Sequence, residues 1–482
     1  MNSETDASEQ LEEEQATDDS NEFPSPRAAR RILIFLLFPS TLMPMVSSMS
    51  RVALPIIRDD FGIQADMTAW VAVAFTLPFF ILMPVYGRLS DGFDKRRLIL
   101  WGVAISWVGT TMTLLARDLD WLMAGRAIQG VGLAGMMPLG MALLSTLFRP
   151  QEQGRALGVW STVGPATGLI SSLIAGFLIA EWGWRGAFSP PFLIGILAFF
   201  VVWKGVPTGP NPVRFHFLRR FDWGGVALLG TALIGLVFYL SSRAITGVEP
   251  LQDWRLLGVT LVLSGGFWWW EKRVADPFIS FHIFSNRMFC RATFCASMRM
   301  VSQGGVGFLI TLYLVDIHNL SPAELGGFMM ISSAGMTLVV RLGGRMADRW
   351  SSRWPVMIGL LMQTSVSLTL ARLPEHVSIW SVALAIGCSG MGAGFMQAAS
   401  HRAVMGSVTQ SQLGAAFGLY HMLRFVGSVV GTALSGVALQ HYLDAALSTI
   451  EAYQVVFFMF AGFPALGVLV GFGLREPETV SK

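Results

Sequence analysis

The chain has 482 residues, of which 53% are hydrophobic and only 13% are charged. That charged share is about half the share in a soluble globular protein, and the apolar residues form long uncharged runs. The composition therefore excludes a soluble domain and predicts an all-α membrane protein that crosses the bilayer many times. The net charge of +3 excludes little, because the charges are segregated along the chain.

An acidic segment begins the chain. Nine of the first 22 residues are Asp or Glu, which predicts a disordered, solvated tail over residues 1–31. Arg27, Arg30 and Arg31 directly precede the first apolar run. A signal peptide lacks such an acidic leader, so we expect the tail to remain in the cytoplasm.

Fourteen membrane-spanning helices are predicted in the order six, two, six. The N-terminal bundle, residues 32–203, has spans near 32–54, 67–86, 98–115, 122–147, 156–180 and 187–203. A linker over 204–288 adds two spans, near 223–241 and 255–270. The C-terminal bundle, residues 289–475, has spans near 289–315, 325–342, 355–371, 379–399, 413–439 and 454–474, and a cytoplasmic tail over 476–482 follows. Most Lys and Arg residues fall on the side that this topology places inside.

A short basic loop joins the second and third predicted spans, and a weaker copy follows the tenth. Glycines permit a tight reversal there, and the basic residues mark a cytoplasmic turn. The two loops contribute the residues Gly87, Arg88, Asp91, Lys95, Arg96, Arg97, Gly344, Asp348 and Arg349. A solvated turn that only fixes topology is one interpretation. A pair of such loops at matching places indicates a duplicated transporter instead.

The two six-span halves repeat one another. Segment 130–136 in the fourth span resembles 390–396 in the twelfth, and 154–158 resembles 414–418. The glycines of 130–135, like the pairs Gly154/Gly158, Gly164/Gly168 and Gly427/Gly431, are expected to let neighbouring helices approach closely. In a duplicated transporter the substrate site lies between the bundles, near the middle of the membrane.

Several arginines lie within predicted spans, although those spans contain no Asp or Glu. Burying a guanidinium in hydrocarbon costs at least about 2.5 kcal/mol, so such a residue should face a cavity or a partner. The candidate coupling and substrate residues are Arg126, Gln129, Arg299, Gln303, His421 and Arg424. Alternatively, Arg126 snorkels to the outer interface. In the second half, Ile386 stands at the position that matches Arg126, and Ser389 at the position that matches Gln129.

The Gly87 loop, the segment 126–132 and the two-half plan resemble the major facilitator superfamily. The six, two, six order is similar to its fourteen-helix drug:proton antiporter branch, and the resemblance covers roughly residues 32–475. It implies that Arg126 senses proton or substrate binding. It also implies that the Asp and basic residues of the two loops latch the cytoplasmic ends of the bundles and release them as the transporter switches.

The first span departs from that family pattern, which includes an acid often linked to proton coupling. Val46 stands at the position of the acid, and Arg51 stands at the position of an asparagine. The nearest acids are Asp316 and Glu324, at the outer ends of the ninth and tenth spans. Proton coupling by the usual acid therefore cannot be transferred to this chain.

The sequence predicts a secondary active transporter that exports amphipathic small molecules by alternating access. A carrier of organic anions or lipids is an alternative, and a non-transporting membrane sensor on a transporter fold is an alternative of another class. An intramembrane enzyme fits least, because paired acids, metal clusters and nucleophile–base sets are not visible. Without a carboxylate in its spans, the chain should prefer anionic amphiphiles to lipophilic cations.

The expected partners are a small-molecule substrate and membrane lipid, with protons as a candidate coupling ion. We expect no cofactor, because no nucleotide-binding loop is visible, and no nucleic acid partner. Cys290, Cys295 and Cys388 all fall in predicted spans, which argues against a disulfide framework or a zinc site. The expected state is a monomer in a bacterial inner (plasma) membrane, with both termini in the cytoplasm.

Overall fold

The computed structural model describes residues 25–148, 150–208, 221–274, 279, 281–374, 378–408 and 413–474. Within these ranges the chain is α-helical, with one short 3-10 helix and no strand. The all-α prediction is therefore confirmed for this part of the chain. The predictions for the acidic tail up to residue 24, for the middle of the first linker and for the tail 476–482 lie outside the described residues.

Eight helices form the first half of the chain. They are α1 (Pro26–Ser40), α2 (Leu42–Phe61), α3 (Ala65–Gly92), α4 (Lys95–Leu114), α5 (Leu119–Leu133), α6 (Met136–Leu147), α7 (Pro150–Gly186) and α8 (Ser189–Gly205). The first predicted span comprises both α1 and α2, and the fourth comprises both α5 and α6. Pro39 near the end of α1 has no N–H to donate, and the helix breaks at Thr41.

The remaining helices belong to the inserted segment and the second half. They are α9 (Trp223–Leu240), α10 (Arg243–Thr246), α11 (Trp254–Glu271), α12 (Arg287–Asp316), α13 (Pro322–Arg349), α14 (Arg353–Leu370), α15 (Ile379–Met405), α16 (Leu413–Asp444) and α17 (Thr449–Gly471), with the 3-10 helix Phe281–Ser285 before α12. Each of the fourteen predicted spans falls on helix. Eleven helical stretches in the described ranges are long and apolar enough to cross a membrane. The count of fourteen and its division into six, two and six stay predictions.

The two halves meet along two pairs of helices, α7 against α13 and α3 against α16. We call the end where α2 stops and α13 starts the outer end, after the predicted orientation, and the opposite end the inner end. Gly326 of α13 lies so close to α7 that a Cβ there would be 2.5 Å from the Ser172 carbonyl oxygen. A Cβ on Gly436 of α16 would lie 2.8 Å from the Ala65 carbonyl oxygen of α3. Glycine therefore permits the tight closure of the outer end.

Towards the inner end, two glycines of these helix pairs have no neighbouring atom among the described residues. Gly168 of α7 still contacts the other half, since its Cβ would lie 3.0 Å from Ser333 Oγ. One turn nearer the inner end, a Cβ on Gly164 would meet no atom within 4 Å. On α16, Phe425 stacks on Phe80 of α3 with ring centroids 4.0 Å apart, whereas the position of Gly418 is open. The described helix pairs are thus tightly closed at the outer end, whereas the positions of Gly164 and Gly418, nearer the inner end, have no neighbouring atom.

Two adjacent glycines provide a test of this closure. Gly326→Ala should destabilise the protein by about 1–3 kcal/mol, because its methyl group would overlap backbone atoms of α7 and the helices would have to move apart. Gly327→Ala is the matched control, since a Cβ there meets nothing within 4 Å and alanine favours helix. Thermal unfolding of the purified variants should therefore show a lower melting temperature for Gly326→Ala alone. Equal melting temperatures would contradict the tight packing of α13 on α7.

Candidate functional site

The first-half site is a buried hydrogen-bonded chain that starts at Arg126. Asp118 caps α5 by accepting a hydrogen bond from the Trp121 N–H, and Arg126 lies two turns further along this helix. Its guanidinium donates to Gln129 Oε1 at 2.7 Å, and Gln129 Nε2 donates to Thr110 Oγ1 of α4 at 2.8 Å. The Thr110 hydroxyl donates in turn to the Ser106 carbonyl.

The guanidinium of Arg126 is enclosed by aromatic rings rather than by water. Arg126 is 2% exposed, and its Cζ lies 4.7 Å from the ring centre of Phe75 and 5.5 Å from that of Phe188. The alternative in which Arg126 snorkels to the interface is therefore wrong. Its Nε atom has no hydrogen-bond partner in the described structure. A cation buried in this way responds strongly to any charge that enters nearby.

Glycines bring the helices around Arg126 together. A Cβ on Gly130 would collide with the Phe75 carbonyl of α3, and one on Gly132 would collide with backbone atoms of Ser106 on α4. This confirms the interpretation of the glycine-rich segment as a helix-packing surface.

The second-half site contains Arg299 of α12 and Arg424 of α16, which are both 4% exposed. Arg299 donates to Gln303 Oε1, and Arg424 donates to Gln397 Oε1 of α15 at 3.2 Å. The Nε atoms of both arginines lack a partner. Helices α12 and α16 pack closely beside the two arginines, since a Cβ on Gly427 would lie 2.8 Å from the Ser297 carbonyl oxygen.

Two histidines lie beside these arginines. His421, 2% exposed, has both ring nitrogens buried without a partner, and His401 Nε2 is also unpaired. The rings of His401 and His421 are 5.3 Å apart, and Tyr420 lies within 5.8 Å of both. Arg424 packs over Phe425, at 4.5 Å from its ring centre. The structure therefore brings three sequence-predicted residues, Arg299, His421 and Arg424, into one cluster.

The second-half cluster is a set of hydrogen-bond donors without a counter-charge. No carboxylate is among the hydrogen-bonding, ion-pairing or ring partners that the described residues supply to Arg299, Arg424, His401 or His421. Buried cations are normally paired with an anion, because desolvation of an unpaired charge is costly. The unmet donors therefore suit a carboxylate, sulfonate or phosphate group.

Arg51 of α2 adds a third cation near the interface of the halves. It is exposed although both of its neighbours, Ser50 and Val52, are buried. Its guanidinium lies against α12, since a Cβ on Gly307 would be 3.9 Å from Arg51 Nη1. Arg51 thus reaches towards the second half from the helix in which the family pattern has an acid.

The Gly87 loop makes its described contacts within the first half. Asp94 caps α4 by accepting from the Arg96 N–H at 3.0 Å, and Arg96 also donates to the Trp203 carbonyl of α8. Lys95 is partly exposed, whereas Arg88 and Arg97 are exposed. A Cβ on Gly87 would touch Pro138. The side chain of Asp91 lies outside the described residues, so its role in a latch stays a prediction.

The second loop also makes its described ion pair within its own half. Asp348 of α13 accepts from Arg402 of α15 at 2.6 Å, and Arg349 is exposed. A Cβ on Gly344 would lie 3.5 Å from Ala398. In their described contacts, both loops therefore connect helices of a single half.

An ion pair that sequence reasoning missed joins the halves at the outer end. Arg58 of α2 donates two hydrogen bonds to Asp316 of α12, at 2.7 and 2.9 Å. The Tyr453 hydroxyl of α17 donates to the same carboxylate at 2.5 Å. Glu324, the other candidate acid, caps α13 with Ser321 instead. The sequence does show a basic residue, Arg58, just after the first predicted span. The charge pattern alone does not identify the acid with which it pairs.

The comparisons with known proteins decide the family. A sequence model of the Major Facilitator Superfamily matches residues 36–283 and 292–482. The chain belongs to this superfamily. Its members are transporters rather than enzymes, so the resemblance inferred from the Gly87 loop and the Arg126 segment is confirmed, and the chain is a multi-pass membrane transporter.

Similar proteins include a drug-resistance protein and a vitamin transporter. Multidrug resistance protein Stp of Mycobacterium tuberculosis (strain CDC 1551 / Oshkosh) is 26% identical over 415 residues, which are 86% of this chain and 75% of that protein. Riboflavin transporter RibZ of Clostridioides difficile (strain 630) is 24% identical over 406 residues, 83% of this chain and 86% of that protein.

A crystal structure of a bacterial homologue of the human lysosomal transporter Spinster, in an inward-facing and occupied conformation, has the same fold. It superposes with a TM-score of 0.68 at 14% identity and covers 94% of this chain and 97% of that chain.

Substitutions along the hydrogen-bonded series from Arg126 through Gln129 to Thr110 should reduce transport to different degrees. Arg126→Ala should abolish transport of a probe that the wild type exports, with near-normal expression, because it removes the buried cation and leaves Gln129 without its donor. Arg126→Lys should retain part of the activity, since it keeps the charge. Thr110→Val, which removes only the hydrogen bond that Gln129 donates to Thr110, should have the smallest effect. Vesicle efflux assays measure all three, and full transport by Arg126→Ala would refute the role in coupling.

Proposed function

We propose that the chain is a secondary active transporter that exports amphipathic small molecules by alternating access between its two halves. The observation that carries this proposal is the tight closure of the outer end, where Gly326 packs on α7 and Gly436 packs on α3. A carrier that loads substrate from the inner side needs such a state. The similarity to a multidrug resistance protein supports export of compounds of varied structure.

The preferred substrate, in this proposal, is an amphiphile with a negative charge. A carboxylate or phosphate offers acceptors to the unmet N–H groups of Arg299 and Arg424, and such charge-assisted bonds are the strong ones. His401 and His421 can donate one further hydrogen bond each. A lipophilic cation would meet like charge instead, with no carboxylate to offset its desolvation.

In this proposal, the apolar part of the substrate would lie against aromatic side chains where the two halves meet. Phe80 and Phe425 meet across the halves, and Phe79 packs edge-on against both. Aromatic faces offer large apolar area with little conformational entropy to lose. The same features would fit a carrier of anionic lipids, and the two kinds of cargo differ in the length of the apolar chain.

A non-transporting sensor is the second candidate, because an unpaired cationic cluster could also bind a signal molecule. A sensor would bind the ligand without moving it. The similarity to a multidrug resistance protein and a riboflavin transporter favours the transporter.

Substrate charge can be tested with two dyes on one xanthene scaffold, anionic fluorescein and cationic rhodamine 6G. In proteoliposomes the wild type should transport the anion in preference to the cation, and Arg299→Ala should lose most of the anion transport. Arg255→Ala is the matched control, because that arginine is exposed on the inserted helix pair. Robust transport of the cation alone, unaffected by Arg299→Ala, would end the anion hypothesis.

The loop at Gly87 remains a proposed latch for the opposite, inner-closed state. Asp91→Asn should slow turnover more than it weakens substrate binding, because a latch acts on the switch and not on the pocket. Asp120→Asn, an exposed acid in the same half, serves as the control. Stopped-flow transport and equilibrium binding separate the two effects. A variant that loses binding while it keeps its conformational exchange would refute the latch.

A further inference from the structure

A groove lies between α1 and α8 in the first half. It has a volume of about 520 Å³, and each of its walls is one face of a helix. The side chains that shape these walls are Arg31, Ile32 and Phe35 of α1 and Phe200, Val201 and Lys204 of α8. The ring of Phe35 packs on Gly205, where a Cβ would lie 2.3 Å from a ring carbon, so the two helices meet at this point.

The groove lies at the inner end of the molecule. Trp184, near the end of α7, donates a hydrogen bond to Asp60 at the outer end of α2, so α8 starts at the outer end. Its last residues, Lys204 and Gly205, are therefore at the inner end. Helix α1 also starts there, because α2 continues from it to the outer end. The charge pattern of the sequence predicts that this end faces the cytoplasm.

The polar part of the groove is positive. Arg31 and Lys204 are both exposed, and one stands on each wall. A third cation, Arg96 of α4, reaches the same end of α8, where its guanidinium donates to the Trp203 carbonyl beside Lys204. The Nε of Arg96 is buried and has no hydrogen-bond partner among the described residues. None of the described residues that line the groove is an acid, so its polar part suits an anionic group.

The rest of the groove is apolar and borders the lipid. Phe200 is 50% exposed, and Ile34 on the adjacent part of α1 is 64% exposed. In a protein that spans a membrane, large apolar side chains that are this exposed contact acyl chains. Trp203, which is also exposed, suits the aromatic belt at a membrane interface. A ligand that matches the whole groove therefore combines an anionic head with an apolar chain.

We propose that the groove binds a phospholipid with a negatively charged headgroup, taken from the inner leaflet. The headgroup phosphate accepts hydrogen bonds from Arg31 and Lys204, and an acyl chain lies along the rings of Phe35 and Phe200. Cationic pockets between membrane helices on the cytoplasmic side bind anionic lipids in this way. The lipid bridges α1 and α8 and stabilises the first half. This inference goes beyond the proposed function, since it does not depend on what the protein transports.

The acidic start of the chain is another anion that could occupy the groove. Residues 1–22 contain nine Asp and Glu residues and lie shortly before α1 in the sequence. Carboxylates can pair with the cations, but burying them against the apolar walls beside Phe200 costs free energy, whereas burying an acyl chain there releases it. A lipid matches both parts of the groove.

Native mass spectrometry of the full-length protein in detergent measures lipid retention directly. The probes are dioleoyl phosphatidylglycerol, which is anionic, and dioleoyl phosphatidylcholine, which has the same acyl chains but no net charge. The wild type should retain one phosphatidylglycerol in preference to phosphatidylcholine. Arg31→Gln and Lys204→Gln should each reduce this preference about fivefold, as expected for the loss of one cation near an anionic headgroup. Arg30→Gln is the matched control, since Arg30 is exposed beside Arg31 but does not line the groove.

A further variant separates the groove from general attraction to a basic surface. Val201→Trp fills the apolar part of the groove but leaves both cations, so it should lose the retained lipid. Its melting temperature without added lipid should stay near that of the wild type, because Val201 is only partly buried. Inorganic phosphate should not displace the lipid, since the free anion has no chain to contact the apolar walls.

The opposite results would overturn the proposal. Equal retention of phosphatidylglycerol by the wild type, Arg31→Gln and Lys204→Gln would exclude the cations of the groove as the headgroup site. Retention that persists in Val201→Trp, or that inorganic phosphate abolishes, would reduce the site to one for a free anion. Retention that appears only after deletion of residues 2–22 would show that the acidic segment occupies the groove instead.

Discussion

Two guanidinium groups buried in the second half without a carboxylate partner are the constraint on which this account depends. Taking a charge out of water costs several kcal/mol, and helix packing alone does not return that energy. Arg299 recovers part of it from Gln303, and Arg424 from Gln397 and the Phe425 ring, but each keeps an unpaired N–H. In the proposed function, an anionic group of the substrate satisfies both arginines. A substrate that carries its own negative charge would then account for the positive cluster.

The two halves share a plan but differ in charge. Gln129 and Thr110 form a buried contact between α5 and α4, and Ser389 and Gln363 form the corresponding contact between α15 and α14, at 3.0 Å. Arg126 has no cationic counterpart, because Ile386 stands at the matching position and is buried. The second half places its cations on α12 and α16 instead. The repeated halves share one arrangement of helices. In the proposed function, the buried charges let the first half respond to binding, while those of the second half recognise the substrate.

Sequence reasoning predicted the helical class, the family and most cluster members because each depends on local pattern. Long apolar runs predict helices in lipid, and an arginine inside such a run must have a partner or a cavity. The interpretation of the glycines in segment 130–136 was correct for the same reason. The Arg58–Asp316 pair was out of reach, since its partners are 258 positions apart and meet only when two halves are set against each other. His401 and Gln397 were missed because a polar residue near a span end resembles an ordinary interfacial one.

The central claim, that the buried cluster recognises negative charge, is tested most directly by ligand stabilisation of the purified protein. A ligand that binds the folded state raises the apparent melting temperature, and the rise grows with the logarithm of ligand concentration over Kd. The comparison uses an amphiphilic aryl carboxylate and the quaternary ammonium compound with the same carbon skeleton, on the wild type and on Arg424→Gln. The account predicts that the carboxylate raises the melting temperature of the wild type and has a smaller effect on the variant. Stabilisation by the ammonium compound alone, equal in both proteins, would contradict it.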